Sequence, residues 1–177
     1  MKRILALFAL SLGCSSAMAS DTINFEGTVT AGGTCPISVV TPGGPALPKI
    51  YLGDFKVEDY PTAGLKTQLE RFALRVDPAT CTIAAGDKAT VKFQAHFGGD
   101  AAAKLFGMRS GGAYSTGFGL AIFDKSNTQL APDAESVEYE LSDTVPTDMN
   151  FSTQLQTTAA VTEGHIATSV GFLVAIP

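Results

Sequence analysis

The side chains best suited to metal or nucleophilic chemistry are few: two histidines and three cysteines in 177 residues. His96 and His165 each stand without the several spaced His/Cys partners that a zinc site needs. His96 is expected in or just after a strand and His165 after a turn, both as solvated or hydrogen-bonded surface groups. Composition does not exclude a Ser/His/Asp triad, but no Gly-x-Ser-x-Gly elbow occurs. Asp124-x-Ser126-x-Thr128 has a faint likeness to a calcium loop. Gln129 stands where the sharp-turn glycine belongs, so the segment reads as a turn. Gly117-Phe118-Gly119 lacks the continuation and the following helix of a phosphate cradle. The dispersed carboxylates read as a solubilising surface. No enzyme activity, cofactor or metal is expected.

The cysteines make better sense as structure. Lys2 and Arg3, the apolar run 4–12 and Ala17-Met18-Ala19 have the order of a secretion signal cleaved after Ala19. Cys14 is lost with residues 1–19. A rival reading makes it a lipoprotein's acylated cysteine, but Ser11 holds a position where Leu is usual. Cleavage leaves 158 residues (177 less 19) and a charge of −7, from 10 basic and 17 acidic side chains. That charge, with no Lys/Arg cluster, is a poor match for nucleic acid or an anionic membrane. The apolar run is too short to span a bilayer, so no direct membrane insertion is expected.

Export favours oxidation, and Cys35 and Cys81 are the two remaining thiols. A bridge is expected between two adjacent strands near the start of the domain. Its alternative is two separate buried thiols. Closing a loop of 46 residues would contribute roughly 3–4 kcal/mol in the chain-entropy account.

The elements that would carry these residues are short strands. Phe72, Leu74 and Val76 alternate with less apolar neighbours, as do Ala89, Val91, Phe93 and Ala95. Leu120 to Phe123 is a denser, more buried run. Phe151, Thr153 and Leu155 share one parity, as do Val170, Phe172, Val174 and Ile176. Turns are expected at 41–45, 77–78, 85–87, 124–127 and 163–164. A single short helix is predicted over 100–106, with Asp100 as its N-cap. The pattern predicts an all-β, antiparallel sandwich.

The two ends stand out. Ile23, Phe25, Gly27 and Val29 form an alternating strand ahead of a Gly32-Gly33 joint and the first cysteine. The last strand, 168–177, has no successor to cover its edge. An exposed edge of this kind is a place for another chain's strand.

With these pieces in order, the sequence resembles the chaperone–usher fimbrial subunits, the type 1 pilin family of Gram-negative bacteria. The likeness rests on the Gly27-containing N-terminal strand, Cys35-Pro36-Ile37-Ser38-Val39, Leu52-Gly53-Asp54-Phe55 and Phe72 to Asp77 leading to Cys81. Val91-Lys92-Phe93, Gly119 to Asp124, Phe151 to Leu155 and Gly171-Phe172-Leu173-Val174 complete it. The resemblance implies an incomplete immunoglobulin-like sandwich lacking its last strand. Residues 1–19 would be the signal peptide, 20–34 a donor-strand extension and 35–177 the pilin domain. It implies that Ile23, Phe25, Gly27 and Val29 enter a neighbouring subunit's groove. Val170, Phe172, Val174 and Ile176 would border this subunit's own groove. The implied partners are neighbouring pilin subunits in a head-to-tail polymer, a periplasmic chaperone and an outer-membrane usher. The implied location is the cell surface, reached through the periplasm, within a fimbrium. The competing expectation is a self-complemented exported sandwich, in which the N-terminal strand folds into its own groove and serves a ligand-binding, minor adaptor or adhesin module.

Overall fold

The computed structural model describes residues 22–27, as backbone, and residues 35–176. The expected signal, with Cys14, the donor residue Val29 and the Gly32-Gly33 joint lie outside the described residues. Eleven strands are described: β1 Thr22–Gly27, β2 Ile37–Val40, β3 Glu70–Val76, β4 Lys88–Ala95, β5 Gly99–Asp100, β6 Leu105–Phe106, β7 Phe118–Phe123, β8 Gln129–Leu130, β9 Tyr139–Glu140, β10 Thr147–Thr157 and β11 Ala167–Ala175. Their only helical companion among the described residues is a single 3₁₀ turn, Val57–Asp59. No described helix is long and apolar enough to cross a membrane.

The strands form two sheets, one ordered β1-β11-β4-β9 and the other β2-β3-β10-β7-β6-β5, with β8 on β7. The alternating rows of the sequence meet between them. Phe72, Leu74 and Val76 from β3 and Met149, Phe151 and Leu155 from β10 are buried against Val91 and Phe93 of β4. Phe93 meets Phe151 edge-on with ring centroids 5.0 Å apart, while Phe72 stacks on Phe151 at 5.6 Å. Such aromatic pairs add to what area burial alone contributes. The Tyr139 hydroxyl closes this cluster by donating to the Asn150 carbonyl at 2.8 Å.

The predicted helix over 100–106 is not formed. Asp100 and Leu105 instead face each other across a small hairpin of β5 and β6. The Asp100 carboxylate does accept the Ala103 amide, at 3.0 Å, but Lys104 takes a positive φ of 56° and turns the chain back. Burial of Leu105 and Phe106 against the sheet outweighs the weak helix preference of a single alanine-rich turn. The 124–127 turn forms as expected. Buried Asp124 accepts the Ser126 and Thr128 amides at 2.9 and 3.0 Å, and its carboxylate is thereby occupied by the backbone.

Cys35 and Cys81 are bonded, with Cα atoms 4.8 Å apart. The bridge does not join two strands, as expected from sequence. It ties the lead-in of β2 to the connection between β3 and β4. Reduction, or Cys35→Ser with Cys81→Ser, should lower unfolding free energy by roughly 3–4 kcal/mol. Urea melts with and without reductant give the measurement, and unchanged midpoints would contradict it.

A second tie holds the Gly/Pro loop 41–48. Arg75 donates to both oxygens of Asp148, at 2.6 and 2.8 Å, and to the Gly44 carbonyl at 3.1 Å. The Gly43 amide also donates to Asp148, at 2.8 Å. The Arg75 hydrogen bonds, helped by that amide, hold the Asp148 carboxyl below the usual carboxylate range despite its partial burial. A carboxylate with a lowered folded pKa stabilises the fold above its unfolded value of about 3.9, and this is lost as pH falls through the folded value. Asp148→Asn should therefore lower stability near neutrality and flatten the acid limb, read by melts from about pH 6 to about pH 2. Parallel acid limbs for the two proteins would refute the assignment.

Candidate functional site

β11 carries the row singled out in the sequence. Val170, Phe172 and Val174 are 0%, 5% and 1% exposed, and Ile176, just past the strand, packs partly buried against the same core. On one side the row is covered by β4, with Val170 opposite Ala95, Phe172 opposite Phe93 and Val174 opposite Val91. Thr168, the polar member, is buried and donates its hydroxyl to the Gly107 carbonyl at 2.6 Å. Along this row every described group is apolar or internally hydrogen-bonded, so what it can do is pair and pack.

The other edge of β11 is taken by β1. The register sets Ile23 opposite Thr168, Phe25 opposite Val170 and Gly27 opposite Phe172, in parallel. The other pairs among the named strands are antiparallel. Three of the four expected donor positions thus lie opposite the buried row of β11. In the single chain they lie in the chain's own sheet.

A cavity of about 890 Å³ opens where β11 begins. Its apolar wall includes Phe55, Phe118, Val161 and Ile166, with Glu58 and His165 at its edge. Ile166 immediately precedes Ala167, the residue opposite Thr22, so the cavity continues the line of the β1–β11 seam. Phe55, Tyr60 and Phe118 brace one another, with ring centroids 5.4 to 5.8 Å apart. The sequence reading passed over this wall, because its residues come from three separated segments. One local signal was present in Gly117. It has φ +93°, and a Cβ there would sit 2.5 Å from the Ala160 carbonyl oxygen. The glycine lets the start of β7 lie directly against the 158–162 segment that forms the opposite wall.

His96 and His165 are both exposed, and the His96 ring lies 3.0 Å from the Ser169 hydroxyl. No group of three or more His, Cys, Asp or Glu among the described residues is placed to hold a metal ion.

A model of the fimbrial protein family matches residues 23–176, from the first apolar position of β1 to the residue after β11. The chain belongs to the fimbrial protein family. This is a family of structural subunits, not a class of enzymes. Solved structures share the fold at low identity. The P pilus rod subunit PapA aligns with a TM-score of 0.60 at 16% identity, covering 81% of this chain and 99% of its own. A chain from a chaperone–usher pilus gives 0.57 at 16% identity, covering 86% and 96%. The Burkholderia pseudomallei antigen and type I fimbria protein gives 0.53 at 21%, covering 90% and 98%. No curated protein matches the sequence.

Proposed function

We propose that this fimbrial protein is a shaft or adaptor subunit of a surface pilus that polymerises head to tail by donor-strand exchange. Residues 1–19 direct export and are removed. A periplasmic chaperone covers the β11 edge in transit, and an outer-membrane usher exchanges it for the 20–34 extension of the next subunit. Ile23, Phe25, Gly27 and Val29 are the donor positions, and Val170, Phe172, Val174 and Ile176 border the accepting groove. The observation that supports this reading most is the β1–β11 seam. A short strand, separated from the rest of the domain by residues 28–34, completes the sheet beside a buried apolar row. A strand paired along a sheet edge can be exchanged for an equivalent strand from another chain. One donor and one groove per subunit make a heterologous contact, which propagates as a filament.

Electron microscopy of cells with and without the gene tests the reading, with loss of surface fibres expected on deletion. A finer test is Gly27→Leu. Gly27 interrupts an apolar row, and a strand interior ordinarily disfavours glycine. If close approach to a groove floor requires it, Gly27→Leu should abolish polymerisation from chaperone-bound subunits, while Glu26→Gln, on the other parity, assembles normally. Normal assembly by Gly27→Leu would remove that role.

A further inference from the structure

A second concavity, of about 450 Å³, lies on the sheet that does not contain β1 and β11. Its floor comes from the row that alternates with the core. Arg71 of β3 and Ser152 of β10 are register partners there, and Asn150 lies two residues along β10. One wall is Pro42 in the Gly/Pro loop, and the other is the 124–127 turn with Lys125 and Asn127. Both walls are fixed. The Arg75–Asp148 pair ties down the loop through Gly43 and Gly44. The buried Asp124 carboxylate sets the turn, in which Asn127 takes a φ of 58°. Lys125 is held twice by Tyr139. Its amide donates to the phenol oxygen at 3.1 Å, and its ammonium lies 4.7 Å from the ring centroid. The groups on this rigid frame are unspent. Among the described residues, no ion pair or side-chain hydrogen bond engages the Arg71 guanidinium, the Asn127 and Asn150 amides or the Ser152 hydroxyl. The neighbouring acids are committed elsewhere, Asp124 to backbone amides and Asp148 to Arg75. A chain of formal net charge −5 thus sets two cations and three neutral polar groups around one dish.

We propose that this concavity binds a sugar acid, a ring of hydroxyls carrying one carboxylate. Arg71 supplies the planar fork that pairs with a carboxylate through two parallel N–H···O bonds. Lys125 adds a second positive charge. The Asn127 and Asn150 amides and the Ser152 hydroxyl each donate and accept, which suits the hydroxyls of a sugar. A phosphate or sulfate, whose outer oxygens only accept, would leave the accepting atoms of all three unused. The volume falls within the range of small-ligand sites, about 300–1,000 Å³. The walls are set before a ligand arrives, so binding carries little ordering cost. The site lies apart from the β11 edge, and the inference does not depend on the pilus reading.

Titration calorimetry of the purified mature chain with sodium glucuronate tests this. Saturable binding with a Kd at or below about 1 mM is expected. Glucose, the same ring without the carboxylate, should bind at least tenfold more weakly. Arg71→Ala should weaken glucuronate at least tenfold. Asn127→Gly keeps the left-handed backbone and removes the amide, and should weaken it about threefold. Lys66→Ala removes an exposed cation opposite Gln156, four residues along β10 from Ser152, and should change nothing. Backbone NMR of the unaltered chain removes any dependence on the variants, since glucuronate should shift the amides of 71, 125–127, 150 and 152. The methyl glycoside of glucuronate separates two sources of the ligand: retained binding assigns the site to the end of a sugar chain, and lost binding to the free acid. No saturable binding up to about 10 mM, equal binding of glucose, or shifts confined to other residues would overturn the site. Inorganic phosphate that matches glucuronate on the same amides would mean an adventitious ion only, and would overturn the sugar-acid assignment.

Discussion

Deleting residues 20–34 should leave a subunit that no longer persists as a soluble monomer and that aggregates or unfolds at ambient temperature. β11 would become the edge of its sheet, and the row of Val170, Phe172 and Val174 would lose the strand beside it. Exposing three large apolar side chains costs roughly 5–9 kcal/mol gross. A domain of this size has a net stability of only about 5–15 kcal/mol, so the loss is most of it. An unpaired apolar edge is also a template for association with other chains. Size-exclusion chromatography and urea melts of the truncated and full mature chains provide the comparison. Added peptide of residues 20–34 should restore a monomeric peak. A truncated chain that stays monomeric with an unchanged midpoint would show that β1 contributes nothing to closing the sandwich.

The second large effect separates the two faces of β11 at neighbouring positions. Val174 is buried opposite Val91, whereas Leu173 is half-buried opposite Lys92. Val174→Asp places a carboxylate in an apolar interior with no partner for its charge, a change costing several kcal/mol. Leu173→Asp sets the same group across from a lysine at the surface, where the effect should stay within about 1 kcal/mol. Soluble yield should collapse for Val174→Asp and remain near wild type for Leu173→Asp. Equal yields would contradict the burial of Val174 in the core.

Period-two alternation gave the strand rows of the core to sequence reading, but not the core residues from loops and short strands, such as Ile50, Leu52, Phe106, Leu130, Leu141 and Val161. Phe72, Leu74 and Val76, Ala89, Val91 and Phe93, and Val170, Phe172 and Val174 are all buried, because strand geometry puts alternate residues on one face whatever the strand order. The oxidised pair was legible for a different reason, since only two thiols lie beyond the expected signal segment. What the pattern does not encode is direction or partner. The residues of β1 alternate identically whether the strand runs parallel or antiparallel to β11. The segment 100–106 was misread because Ala101-Ala102-Ala103 has local helix preference, while burial of Leu105 and Phe106 is a tertiary effect. The cavity beside Ile166 was illegible because Phe55, Phe118 and Val161 share no spacing.

The position of the disulfide has a mechanical meaning for a fibre. In the proposed head-to-tail fibre, tension arriving through one subunit's 20–34 extension would enter its domain at Cys35. Only four residues of β2 are paired with β3, and a load applied at one end would peel them apart one hydrogen bond at a time. The bond from Cys35 to Cys81 diverts that load before β2 begins, into the covalent link between β3 and β4. Those strands lie in opposite sheets, each with longer pairings behind it. A pull along the fibre axis is thus shared between both layers of the sandwich, and the weakest strand pair at its entry point is spared the force.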